Sequence, residues 1–164
     1  TTVYLEDVNA PLLEDVSSLF ENCNRLTEVE INDVVAPKFE DLSKLFKNCK
    51  TLSNVDFSTL NAKKIADLSE MFKDCIDLDT VDLSNMGAKD ELNMEGMFEN
   101  CDSLDNVFLE NFTVADDSSC YFENIFEGIE NLEQIAISID NAKLPNEFLD
   151  ILYESEISVV GDQK

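Results

Sequence analysis

The apolar positions of this chain fall into columns that return at a fixed interval. Leu19-Phe20, Leu45-Phe46, Met71-Phe72 and Met97-Phe98 recur every 26 residues, and Ile125-Phe126 follows after 28. Cys23, Cys49, Cys75 and Cys101 keep the 26-residue interval, as do Leu26, Leu52, Leu78 and Leu104, with Leu132 in the longer fifth unit. Alternating pairs come next in each unit: Val29/Ile31, Val55/Phe57, Val81/Leu83, Val107/Leu109 and Ile135/Ile137. Val3/Leu5 fits one period earlier, and Ile157/Val159 closes the series after a shortened unit. A unit of this size cannot bury its apolar face alone, whereas stacked copies can, so the pattern predicts a solenoid.

Each unit carries two patterns. Apolar residues at alternate positions, as in Val55/Phe57, have the period of a half-buried strand. Between Asp41 and Cys49, the residues Leu42, Leu45, Phe46 and Cys49 stand at i, i+3, i+4 and i+7, which is one face of a short helix. The column before the cysteine holds Asn22, Asn48, Asp74, Asn100 and Gly128, residues that tolerate positive φ, and reads as the left-handed cap of that helix. Gly128 standing where other units have Asn or Asp points to a backbone role for the column. The expected fold is an α/β solenoid of the leucine-rich-repeat class, with a parallel sheet on one face and short helices on the other.

A single domain over residues 1–164 is expected, with units near 10–35, 36–61, 62–87, 88–113 and 114–141 and a terminal cap over 142–161. In that cap Pro145 suits the first turn of a final helix running to about Glu154, followed by an edge strand over Ile157–Val160 and a short tail. Residues 1–7 read as a strand met in mid-repeat, which suggests a piece of a longer secreted protein.

The recurring F-x-x-C-x-x-L-x-x-V-x-[LIF] unit has an Asp-[LV]-Ser-x-[LM]-Phe lead-in, seen in Asp15–Ile31, Asp41–Phe57 and Asp67–Leu83. It resembles the BspA-like leucine-rich repeats of bacterial and protozoan surface proteins. The match erodes in Asn93–Leu109, where Asn93 and Glu95 replace the lead-in Asp and Ser, and further in the fifth unit, where Ile129 replaces the cysteine. The resemblance covers roughly residues 3–160. It implies a leucine-rich-repeat scaffold at a cell surface or outside the cell, and such scaffolds differ in what they bind.

Composition narrows the functional classes. The 36 acids against 11 Lys and Arg give a formal charge of −25, which opposes binding to nucleic acid or to anionic lipid. Histidine is absent, so there is neither a Ser–His nor a Cys–His pair for nucleophilic catalysis, and no histidine ligand for zinc. No phosphate-cradling glycine loop and no bilayer-length apolar run occurs. A non-enzymatic role without cofactor or metal is expected. Calcium deserves one thought, because acids dominate the chain between Lys89 and Lys143 and Asp116 and Asp117 sit in an inserted stretch. No D-x-[DN]-x-[DN]-G loop supports it.

The in-register cysteines Cys23, Cys49, Cys75 and Cys101 complete the apolar face and read as buried thiols, with disulfides the alternative. Cys120 lies outside the ladder and is the candidate reactive thiol. The strand residues expected to face outward form a column of Tyr4, Glu30, Asp56, Asp82, Phe108, Ala136 and Ser158. Beside them stand Asn54, Thr80 and Asn106, giving a polar, acidic, concave face with two aromatics. Like charges on adjacent strands repel, and a cationic partner would offset that repulsion. The expected function is therefore extracellular protein binding or adhesion, with a basic patch on the partner, by a monomer or part of a larger polypeptide. A structural spacer without its own ligand and a carbohydrate-binding accessory module are the alternatives.

Overall fold

The computed structural model describes residues 1–60, 62–88, 91–115 and 119–161. In chain order its strands are β1 (Thr2–Glu6), β2 (Glu28–Asn32), β3 (Asn54–Asp56), β4 (Thr80–Asp82), β5 (Gly87–Ala88), β6 (Leu92–Asn93), β7 (Asn106–Phe108), β8 (Thr113–Val114), β9 (Cys120–Tyr121), β10 (Ala136–Ser138) and β11 (Ser158–Val160). One α-helix occurs among the described residues, α1 (Asn146–Glu154), preceded by Pro145 at its N-cap. A seven-stranded sheet runs β1-β2-β3-β4-β7-β10-β11. Every neighbouring pair in it is parallel. The chain is thus a parallel β-solenoid in which each turn contributes one strand to the sheet.

Two further lines of backbone pairing run along the coil. One joins Asn9 to Val35, β5 to β8 and Thr113 to Lys143; the other links Asp15, Asp41, Asp67 and Asn93 and continues as β6 with β9. The core between these lines is a set of ladders of identical or similar residues. Phe20, Phe46, Phe72, Phe98 and Phe126 stack with ring centroids 5.5, 5.6, 5.7 and 5.8 Å apart in turn. Offset ring contacts at such distances contribute beyond the area they bury. Each interior cysteine donates its thiol proton to the phenylalanine carbonyl one turn back: Cys49 to Phe20 at 3.0 Å, Cys75 to Phe46 at 3.1 Å and Cys101 to Phe72 at 3.1 Å.

The face opposite the sheet differs from the expected row of short helices. Leu42, Leu45, Phe46 and Cys49 do point inward, all nearly inaccessible to solvent, but they do so from tandem turns. The N–H groups of Leu45, Lys47 and Cys49 donate to the carbonyls three residues back, those of Leu42, Phe46 and Asn48 donate to Asp67, Met71 and Lys73, and that of Lys44 donates to Ser69 in the next turn of the solenoid. All donors are used without one i→i−4 bond, so no α-helix forms. Left-handed residues enforce this path. The column Asn22, Asn48, Asp74, Asn100 and Gly128 has φ of 63, 61, 62, 59 and 80°, and a second column, Ser18, Lys44, Glu70, Gly96 and Asn124, has φ of 56, 57, 52, 58 and 57°. A positive φ at the third residue of a turn is the geometry that glycine and asparagine favour. At Gly128 a Cβ would also meet the Asn100 side chain, which would have to shift, so the site favours glycine over the Asn and Asp of the other turns.

The fifth turn shifts register. Ile137 pairs with Val107 and Ser138 with Phe108, an offset of two residues from the expected pairing of Ala136 with Phe108. The Phe98–Phe126 stack fixes the earlier part of that turn at the 28-residue spacing, and the short 3₁₀ helix Leu132–Gln134 takes up the two extra residues before β10. Ile135, fully buried, then fills the core just before the strand while Leu132 is only half-buried.

The ladder also ends differently from expectation. Cys49, Cys75 and Cys101 are buried, but Cys23 is exposed. Its column is core only where a turn covers it on the β1 side, and none of the described residues does so here.

Candidate functional site

The outward column of the sheet consists of Tyr4, Glu30, Asp56, Asp82 and Phe108, directly paired in register from β1 to β7. It continues with Ser138 on β10 and Val160 on β11; Ala136 and Ser158 belong to the neighbouring column with Asn54, Thr80 and Asn106. Tyr4 is 60% exposed. Phe108, expected to be exposed, is half-buried between Asp82 and Ser138. A shallow groove over β2 and β3 is lined by Glu28, Glu30, Asn32, Asn54 and Asp56.

The acids of this face fall into two kinds. Asp56 accepts a hydrogen bond from the Ser58 N–H at 2.8 Å, and Asp82 accepts one from Ser84 N–H at 2.8 Å. The same two-residue link recurs at the lead-in, from Ser17 to Asp15, Ser43 to Asp41 and Ser69 to Asp67, at 2.8, 2.9 and 2.7 Å. These are Asx turns, in which a carboxylate satisfies a backbone donor where the chain leaves a paired segment. At Asp15 the Ser17 hydroxyl and N–H hold the carboxyl below its ordinary value. In-register aspartates are therefore a device of the fold as well as a surface charge. The sequence signal for it is the tripeptide Asp-apolar-Ser, present at Asp56-Phe57-Ser58 and Asp82-Leu83-Ser84 as at Asp41-Leu42-Ser43.

Glu28 and Glu30 are of the other kind. Both are half-buried on β2, and neither makes a side-chain hydrogen bond or ion pair among the described residues. The turn face shows what a neutralised acid looks like in this protein. There Glu70 meets Lys47 at 2.7 Å and Lys73 at 3.5 Å, and Lys73 meets Glu99 at 2.6 Å. The Lys47 contact holds the Glu70 carboxyl below its ordinary value, and the Glu99 contact raises Lys73. Lys44, Lys47 and Lys73 thus pair with acids of the turn face, and among the described residues no ion pair involves an acid of the sheet column.

No group of His, Cys, Asp and Glu among the described residues could hold a metal ion. The candidate calcium ligands Asp116 and Asp117 lie outside the described residues. Burial pushes the Cys49 thiol up to about 11 and raises Cys75 and Cys101 further, so these three are poor nucleophiles. Cys120 is half-buried on β9. Among the described residues no helix is long and apolar enough to cross a membrane.

A coil of seven in-register parallel strands with an open acid-lined sheet face defines a repeat protein of the parallel β-solenoid class. Residues 14–139 match the family described as "Mycoplasma protein of unknown function, DUF285", and the chain belongs to that family. No curated protein matches it.

Proposed function

We propose that the protein is a non-catalytic, extracellular protein-binding module that presents the sheet face around Glu30 to a basic patch on a partner. The observation that carries this reading is the Glu28/Glu30/Asp56 groove, where two half-buried glutamates lie without a neutralising partner among the described residues, directly beside the register-paired Asp56. Leaving such acids unpaired costs stability through like-charge repulsion on adjacent strands. A cationic ligand converts that cost into attraction and a salt-sensitive association rate. Tyr4, exposed at one end of the column, supplies an aromatic anchor of the kind enriched at interfaces. The extracellular setting rests on the resemblance of the repeat to BspA-like leucine-rich repeats, which are found on microbial surfaces.

The test is binding to a panel of host extracellular proteins at low and physiological salt, with the triple variant Glu30→Gln, Asp56→Asn, Asp82→Asn. Asparagine keeps the Asx-turn acceptor, so the variant loses charge and keeps the fold. A saturable interaction weakened about tenfold or more in the variant supports the reading, in line with charge pairs at protein interfaces. Unchanged affinity in the variant, or the absence of any binder, overturns it. A second reading, a spacer without its own ligand, is favoured by one observation: the Asx turns account for Asp56 and Asp82 without a partner.

A further inference from the structure

We draw no further inference here: the strongest candidate, the surface patch of Lys38, Lys63 and Lys64 in the connections that follow β2 and β3, carries nothing, because Lys38 meets Glu14 at 3.4 Å, Lys63 donates to the Met86 carbonyl at 3.4 Å, and nothing in the structure shows what covers Lys64.

Discussion

The first and third turns of the solenoid carry nearly the same residues and live in different environments. Met71, Phe72 and Cys75 are wholly buried, while Leu19 is mostly exposed, Phe20 half-buried and Cys23 exposed. Phe72 has a ring on each side at 5.6 and 5.7 Å; among the described residues Phe20 stacks on Phe46 alone, at 5.5 Å. In a stacked fold, burial belongs to the neighbours of a residue as much as to the residue. Stability is then close to a sum of rung terms and interface terms, with interior rungs holding two interfaces.

The sharpest way to break the comparison is to remove the same side chain from both turns. Phe72→Ala leaves a cavity between two rings and should cost about 3–5 kcal/mol. Phe20→Ala, with one face already near solvent, should cost about half of that or less. Urea denaturation of both variants checks it. Equal losses would mean that the two turns unfold as one block, with the interface terms spread evenly.

The thiols extend the contrast to pH. Burial raises Cys49 from its ordinary 9.0 to about 11, and Cys75 and Cys101 are raised more. A folded-state value above the unfolded one means that both states hold the proton below about pH 9. Above that the unfolded chain gives the proton up first, so stability falls as pH climbs through about 11. The urea midpoint should therefore decline across this window, and Cys75→Ala should flatten the decline. At neutral pH the exposed Cys23 should alkylate in the native protein, while Cys75 reacts only on unfolding. Native labelling of Cys75 would show that the interior rungs open as readily as the β1 end.

This division between interior and end was only partly legible in the sequence. The parallel sheet, the inward columns and the capping helix after Pro145 follow from period and alternation, because burial selects apolar residues wherever the backbone turns inward. The turn face reads as helix for the same reason, and the structure shows tandem turns instead. Leu42, Leu45, Phe46 and Cys49 face inward from tandem turns as well as they would from a helix, and apolar spacing does not distinguish the two. The deciding signal was the backbone, and half of it was muted. Asn48 and Gly128 advertise positive φ, but Lys44 and Glu70 hold it too, and neither residue type announces it. A third such column follows the strands at Asp7, Asp33, Asn85, Asn111 and Asn141, and the sequence carries it as recurring Asn and Asp. Its last member lies 30 residues after Asn111, which already contains the register shift of the fifth turn.

The smallest predicted effect separates the two meanings of an acid on the sheet. Asp56 carries both a charge facing Glu30 and Asp82 and an oxygen that accepts from Ser58 N–H. Asp56→Ala removes both, and the lost turn bond should cost about 0.5–1 kcal/mol net of the repulsion relieved. Asp56→Asn removes the charge alone, so stability should hold or rise by a few tenths of a kcal/mol as the ladder of like charges is interrupted. Paired urea titrations at low salt resolve the sign, and high salt should shrink the gain in the asparagine variant by screening the same repulsion. A loss in Asp56→Asn as large as in Asp56→Ala would mean that the charge itself holds the turn. In that case retention of aspartate in the column would need no ligand, and the weight of the binding argument would fall on Glu28 and Glu30, which have no such duty in the fold.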